Sequence, residues 1–120
     1  MMPRKPFQRI DMQAASELLS RDDLLIVDVR DEKAFKKSHI PEAKHVTIAN
    51  LAAILDAAPK DIPILIYCYR GYASQEYAQT FSDFRFQEVY SLDGGYDAWQ
   101  AHVADTRAGE AQEPELEATA

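Results

Sequence analysis

The sequence predicts an α/β fold of three layers, a central, mostly parallel five-stranded sheet with helices on both faces, and three observations predict it. LLIVDV (24 to 29) and IPILIY (62 to 67) are short continuous apolar runs of the kind found in strands buried on both faces of a parallel sheet. Strand-like and helix-like stretches alternate along the chain, as right-handed crossovers between parallel strands require. With 120 residues, 47% of them hydrophobic, there is enough apolar material for one core and no room for two.

In order, FQRI (7 to 10) is a first strand candidate. DMQAASELLS (11 to 20) follows as a helix with Asp11 at its N-cap. After the LLIVDV strand come a short helix at DEKAF (31 to 35), a weaker strand at KHVTI (44 to 48), and a helix at ANLAAILDAA (49 to 58) with Asn50 near its start. IPILIY is then followed by a helix over 72 to 84, YASQEYAQTFSDF, and by a strand at QEVYSL (87 to 92). Asp93, Gly94 and Gly95 form a turn that caps the last helix, YDAWQAHVA (96 to 104), where Tyr96 and Trp99 read as core. The domain is expected to span residues 1 to 103. Residues 104 to 120 hold five acids against Arg107, −4 of the chain's total of −7, which leaves −3 for the domain; with Gly109, Pro114 and little apolar content they read as a disordered, solvating tail.

Charge and composition exclude several classes of function. General nucleic-acid binding needs clustered Lys and Arg, which an acidic chain lacks. No apolar stretch approaches membrane length, and MMPRKPFQRI has no apolar signal core, so the expectation is a cytoplasmic protein without a membrane partner. The single cysteine cannot form an internal disulfide, which fits a reducing compartment. No metal is called for, and nothing demands more than a monomer.

That cysteine, Cys68, closes the IPILIY strand at the sheet's carboxyl edge, where ligands collect in open α/β sheets. Free cysteine is often only core filler, so its position alone leaves structure and chemistry open. The loop that follows, Tyr69, Arg70, Gly71, Tyr72, Ala73 and Ser74, shifts the balance toward chemistry. Gly71 permits the positive φ of a tight anion nest, Arg70 offers a positive charge, and Ser74 is an early helix residue or cap. Curled around the sulfur, such a loop turns backbone N–H groups and a helix N-terminus toward it, lowers the thiol pKa and makes a nucleophile. Asp28 and Arg30, two apart at a strand end, point to one side and can form an ion pair near this site, read here as structural support. His39 and His45 could be imagined as a general base for Cys68, but nothing fixes either near the sulfur, and they read as turn or surface residues.

CYRGYAS, taken with VDVRD (27 to 31), HIPEA (39 to 43) and SLDGGYDAW (91 to 99), resembles the single-domain rhodaneses, the short bacterial thiosulfate sulfurtransferases associated with glycerol-3-phosphate metabolism operons. The likeness runs from about residue 7 to residue 101. It implies that Cys68 takes the outer sulfur of thiosulfate or another sulfane-sulfur donor as a persulfide and passes it to cyanide, a small thiol or a thioredoxin-like protein. No cofactor is implied. The loop from Tyr69 to Ser74 would hold the terminal sulfur, and the pair matching Asp28 and Arg30 is chiefly structural in the family. This chain departs from the family at Ala73, where many members carry an arginine, so that the basic side chain for substrate has to come from Arg70 or elsewhere. Ser38 and Glu42 replace usual glycines, and Tyr72 sets a large ring at the pocket mouth. Two other classes remain: a noncatalytic binding module on the same fold, and a cysteine phosphatase or arsenate reductase. The latter requires an arginine six residues after the cysteine, where this chain has Ser74.

Overall fold

The computed structural model describes residues 6–106. Its strands are β1 (Gln8–Ile10), β2 (Leu25–Asp28), β3 (Lys44–His45), β4 (Pro63–Tyr67) and β5 (Glu88–Leu92). They form one sheet in the order β1-β5-β4-β2-β3, and every pairing is parallel, so the expected mostly parallel sheet is wholly so. The reason lies in the connections: α1 (Met12–Leu18), α2 (Glu32–Lys37), α3 (Ile48–Ala57) and α4 (Ala73–Asp83) each occupy one crossover, and a crossover returns the chain to the same edge. A fifth helix, α5, covers 95–106 and runs three residues past the expected domain boundary. The rest of the expected tail, 107–120, lies outside the described residues.

Side-chain alternation along β4 divides the core into two layers. Ile64 and Ile66 face α3 and α4, where they meet Val27, Val89, Ile54, Leu55, Ala78 and Phe81. Leu65 and Tyr67 face the other way, against Ala15 of α1, Tyr96 of α5, Ile26 and Leu92. All five residues of β4 are buried, which is why its sequence is apolar at every position. Asp11 and Asp31 cap α1 and α2 by accepting from the amides of Ala14 and Ala34, at 2.9 and 2.8 Å. The KHVTI strand is shorter than its sequence suggests. The Val46 amide still reaches the Asp28 carbonyl, but that of Thr47 donates at 2.7 Å to Asn50 Oδ1, so Thr47 begins α3 instead of extending β3.

The order of strands places the site. From β2 the chain steps outward to β3, then returns across β2 to β4 and continues the other way to β5. Winding therefore reverses between β2 and β4, and the segments leaving these two strands diverge to opposite faces, opening a crevice at their carboxyl ends. Cys68 and Asp28 border it.

Candidate active site

Cys68 follows the last residue of β4 and is 4% exposed. It is not walled off by hydrocarbon. The Gly71 amide donates to its Sγ at 3.1 Å, and the Ser74 hydroxyl lies 3.4 Å away. Burial pushes the thiol up. The Ser74 hydroxyl and the amides of Ser74, Gly71 and Arg70 outweigh it and hold the pKa below the ordinary thiol value.

The loop's peptides are aimed by what holds their carbonyls. Tyr96 N–H donates to the Cys68 carbonyl at 2.8 Å, and Asp97 N–H to that of Tyr69 at 3.3 Å. Gln75 Nε2 takes the Gly71 carbonyl at 2.8 Å, and Gln75 N–H that of Tyr72 at 3.1 Å. Because a trans peptide sets C=O and the next N–H in opposite directions, each carbonyl drawn outward turns an amide, those of Tyr69, Arg70, Tyr72 and Ala73, away from its anchor. The first turn of α5 thus spends its orphan N–H groups on positioning the cysteine loop. Two glycines make the approach possible. Gly71 has φ 98°, and at Gly95 a Cβ would lie 2.5 Å from the Cys68 carbonyl oxygen.

Behind the sulfur the hydroxyls continue, with Ser74 Oγ 2.8 Å from Ser91 Oγ and both residues fully buried. Ser74 is the second residue of α4, not its cap; Tyr72 occupies the cap position, and the serine hydroxyl is turned to the sulfur. Ser91, Gly95 and Gln75 escape sequence reasoning as parts of the site. Ser91 alone carries a signal: in EVYSL it shares the inward parity of Val89, so a hydroxyl there has to find a buried partner.

Arg70 stands differently from expectation. Its side chain is 77% exposed and its Nε lies 3.5 Å from Asp97 Oδ2, so the guanidinium faces α5, and only the residue's amide bears on the thiol. Tyr72 is 77% exposed and Tyr69 half exposed. The Tyr69 hydroxyl donates to Asp31, which ties the cysteine loop to the start of α2.

Asp28 and Arg30 form a buried ion pair at 2.8 Å, and the Arg30 amide also donates to Asp28 Oδ1 at 2.8 Å. The guanidinium reaches the Ser38 carbonyl at 2.6 Å and lies 3.9 Å from the Tyr96 ring centroid. Burial pulls Arg30 down, but the hydrogen bonds and charge of Asp28 more than offset it and keep the cation charged. The Tyr67 hydroxyl, pushed up above all by burial, accepts from the Ile40 amide. His39 and His45 stack on Phe35 at 4.0 and 4.8 Å, and their bonded nitrogens reach the carbonyls of Phe35 and Arg30. Both histidines serve the α2 region.

The profile described as a Rhodanese-like domain matches residues 11–102. The chain is 41% identical over 96 residues to the Thiosulfate sulfurtransferase GlpE of Coxiella burnetii (strain RSA 331 / Henzerling II), covering 80% of this chain and 90% of that one. It is 38% identical over 107 residues to the protein of the same name from Pseudomonas aeruginosa (strain LESB58), covering 88% and 96%. Among solved structures, the Rhodanese-like Domain Protein from Staphylococcus aureus superposes with a TM-score of 0.67 at 23% identity, covering 78% of this chain and 91% of that one, a likeness of fold.

Proposed function

The chain belongs to the rhodanese-like domain family, and on that premise we propose that it is a thiosulfate sulfurtransferase whose nucleophile is Cys68. The observation that carries the reading is a sulfur anchored by the Gly71 amide at 3.1 Å and the Ser74 hydroxyl at 3.4 Å, in a loop whose carbonyls are drawn elsewhere. Donors gathered around one sulfur stabilise an anion there, first the thiolate and then the persulfide.

In the first half-reaction the Cys68 thiolate attacks the outer sulfur of thiosulfate. A new S–S bond forms, the S–S bond of thiosulfate breaks, and sulfite leaves with the bonding pair. The negative charge moves one atom outward, to the terminal sulfur of the persulfide, and the loop from Tyr69 to Ser74 holds it there. In the second half-reaction an acceptor attacks that terminal sulfur and the Cys68 thiolate departs; cyanide becomes thiocyanate in this way, and a thiol or thioredoxin-like dithiol serves in the cell. Such a double displacement gives ping-pong kinetics. Arg70 is the only basic residue between 68 and 74, and its side chain grips the donor anion. Asp28 and Arg30 act by holding the framework under the loop. The lone thiol suits a reducing, cytoplasmic setting, and no helix of the described residues is long and apolar enough to cross a membrane. A phosphatase would need a cation where the buried Ser74 hydroxyl stands.

Intact-mass measurement tests the reading. Incubation with thiosulfate is expected to add one sulfur atom, removable by cyanide or dithiothreitol, and Cys68→Ser to abolish the adduct and the turnover. A wild-type chain that stays unmodified and turns over no thiosulfate would mark the domain as a noncatalytic module.

A further inference from the structure

We propose that Asp97 restrains the enzyme's use of anionic donors by holding the Arg70 guanidinium off the site until a donor that pairs with the arginine displaces it. The inference rests on the sulfurtransferase reading above and deepens it, since it concerns which donors that site prefers.

Arg70 is the loop's sole cation, and the residue's own amide bears on Cys68 Sγ, so its side chain is rooted beside the reacting atom. Its long flexible stem lets the guanidinium reach either α5 or an anion seated above the sulfur. In the structure it faces α5, with Nε 3.5 Å from Asp97 Oδ2 and the two side chains 77% and 63% exposed. That separation is a loose ion pair. An exposed pair of this kind is weak, and a second anion can compete for the cation. The backbone of Asp97 is in turn tied to the loop, its amide donating to the Tyr69 carbonyl, so its carboxylate stays within reach of Arg70.

The competition is unequal in charge. Asp97 offers one negative charge and thiosulfate two, shared between its outer sulfur and three oxygens, which a guanidinium can bind in pairs. A singly charged donor draws the arginine away less effectively, and an uncharged one not at all. Every donor that uses Arg70 must first break the same pair, so Asp97 is a specificity-determining residue that lowers the advantage of donors pairing strongly with the arginine, and removing its charge releases that cost.

The test compares wild type, Asp97→Asn, Arg70→Ala and the double variant, with thiosulfate and with methanethiosulfonate, which carries a single negative charge. The Asn variant keeps the backbone amide and the size of an exposed side chain, so it preserves the fold. Its kcat/KM for thiosulfate should rise about two- to fivefold, the range an exposed ion pair supports, with kcat unchanged. The gain should be smaller with methanethiosulfonate, which depends less on the arginine. In the Arg70→Ala background the same substitution should have almost no effect. An equal gain with and without Arg70 would overturn the proposal, since it would reveal simple repulsion by Asp97, and so would an unchanged kcat/KM in the single variant. Intact mass separates this failure from that of the underlying reading. If wild type acquires a sulfur from thiosulfate while Asp97→Asn alters nothing, the inference alone falls; if wild type acquires none, the sulfurtransferase reading falls and takes the inference with it.

Discussion

Two buried polar groups sit side by side at the carboxyl edge of the sheet, the Asp28–Arg30 pair ending β2 and the Cys68 loop leaving β4, and they are built on opposite plans. Around Asp28 and Arg30, positive and negative charge balance: each is the other's partner, and the remaining donors go to the Ser38 carbonyl and the Tyr96 ring. Around Cys68 a neutral thiol accepts from the Gly71 amide and donates to Ser74 Oγ, whereas a thiolate can accept from both, so the surroundings favour negative charge on the sulfur. A balanced cluster is satisfied as it stands. An unbalanced one, whose hydroxyl and amides favour an anion, gains further when negative charge arrives, and so one of two neighbouring polar sites is framework and the other reactive.

Breaking the balanced cluster should have the largest effect on stability. Asp28→Asn leaves the Arg30 cation buried without its counter-charge, and removing one partner of a buried ion pair costs about 3–5 kcal/mol. That is a large share of the 5–15 kcal/mol typical of a whole domain. Urea denaturation should show it as a midpoint shift at an unchanged slope, while the protein that remains folded still accepts sulfur from thiosulfate. A loss below about 1 kcal/mol would mean that the pair is not the framework its burial indicates.

Removing one donor from the unbalanced cluster should act on chemistry. Ser74→Ala takes away the hydroxyl beside Sγ, and with it one charge-assisted hydrogen bond to the thiolate, so sulfur transfer at neutral pH should fall by about tenfold. The sign of the pH effect follows from the donors. In the wild type they hold the Cys68 pKa down, so thiolate, and with it alkylation by iodoacetamide, should reach half its maximum below the ordinary thiol pKa. In the variant burial remains while the leading opposing donor is gone, so the midpoint should move to higher pH. A midpoint that stays put would assign the stabilisation of the anion to the amides alone. Ser91 loses its partner as well, at about 1–3 kcal/mol of stability, and Ser91→Ala in the same background removes that complication.

How much of this was legible in the sequence depends on how local each cause is. IPILIY and LLIVDV contain the strands β4 and β2, buried at every position of the first and at all but Leu25 of the second, and the apolar runs record that directly. The family motifs marked Cys68 and its loop, and the Asp28 and Arg30 pairing follows from two-residue periodicity. The direction of the Arg70 side chain was not legible, because its partner Asp97 is brought in by the helix that follows the last strand. Nor was the use of Gly94 and Gly95. As a sequence they read as a turn, and only the packing of α5 against the loop shows that Gly95 lets two carbonyls be captured there. For Ser74 the sequence leaves open an early helix residue or a cap, and the structure makes it the former, since sequence cannot tell which way an early helical hydroxyl will face.

The smallest effect concerns how the two regions meet the same backbone demand. Beside the sulfur, every positive φ falls on a glycine, at 71, 94 and 95. On the framework side Glu42 takes φ 70°. The Ala43 amide bonds to the Ile40 carbonyl at 3.0 Å, with Pro41 first and Glu42 second in the turn, the arrangement of a type II turn whose second central position favours glycine. The turn is anchored, because the Ile40 amide donates to the Tyr67 hydroxyl, so Glu42 cannot relax without disturbing the core. Left-handed φ at a residue with a Cβ costs about 1–2 kcal/mol, and glycine recovers most of it while adding freedom to the unfolded chain. Glu42 is exposed, so its side chain is lost at little cost. Glu42→Gly should therefore raise stability by about 0.5–1 kcal/mol in urea denaturation and leave sulfur transfer unchanged, which would separate backbone strain in the framework from the tuned loop. A change in activity instead would mean that strain at this turn reaches the sulfur, through Tyr67 and the strand that ends at Cys68.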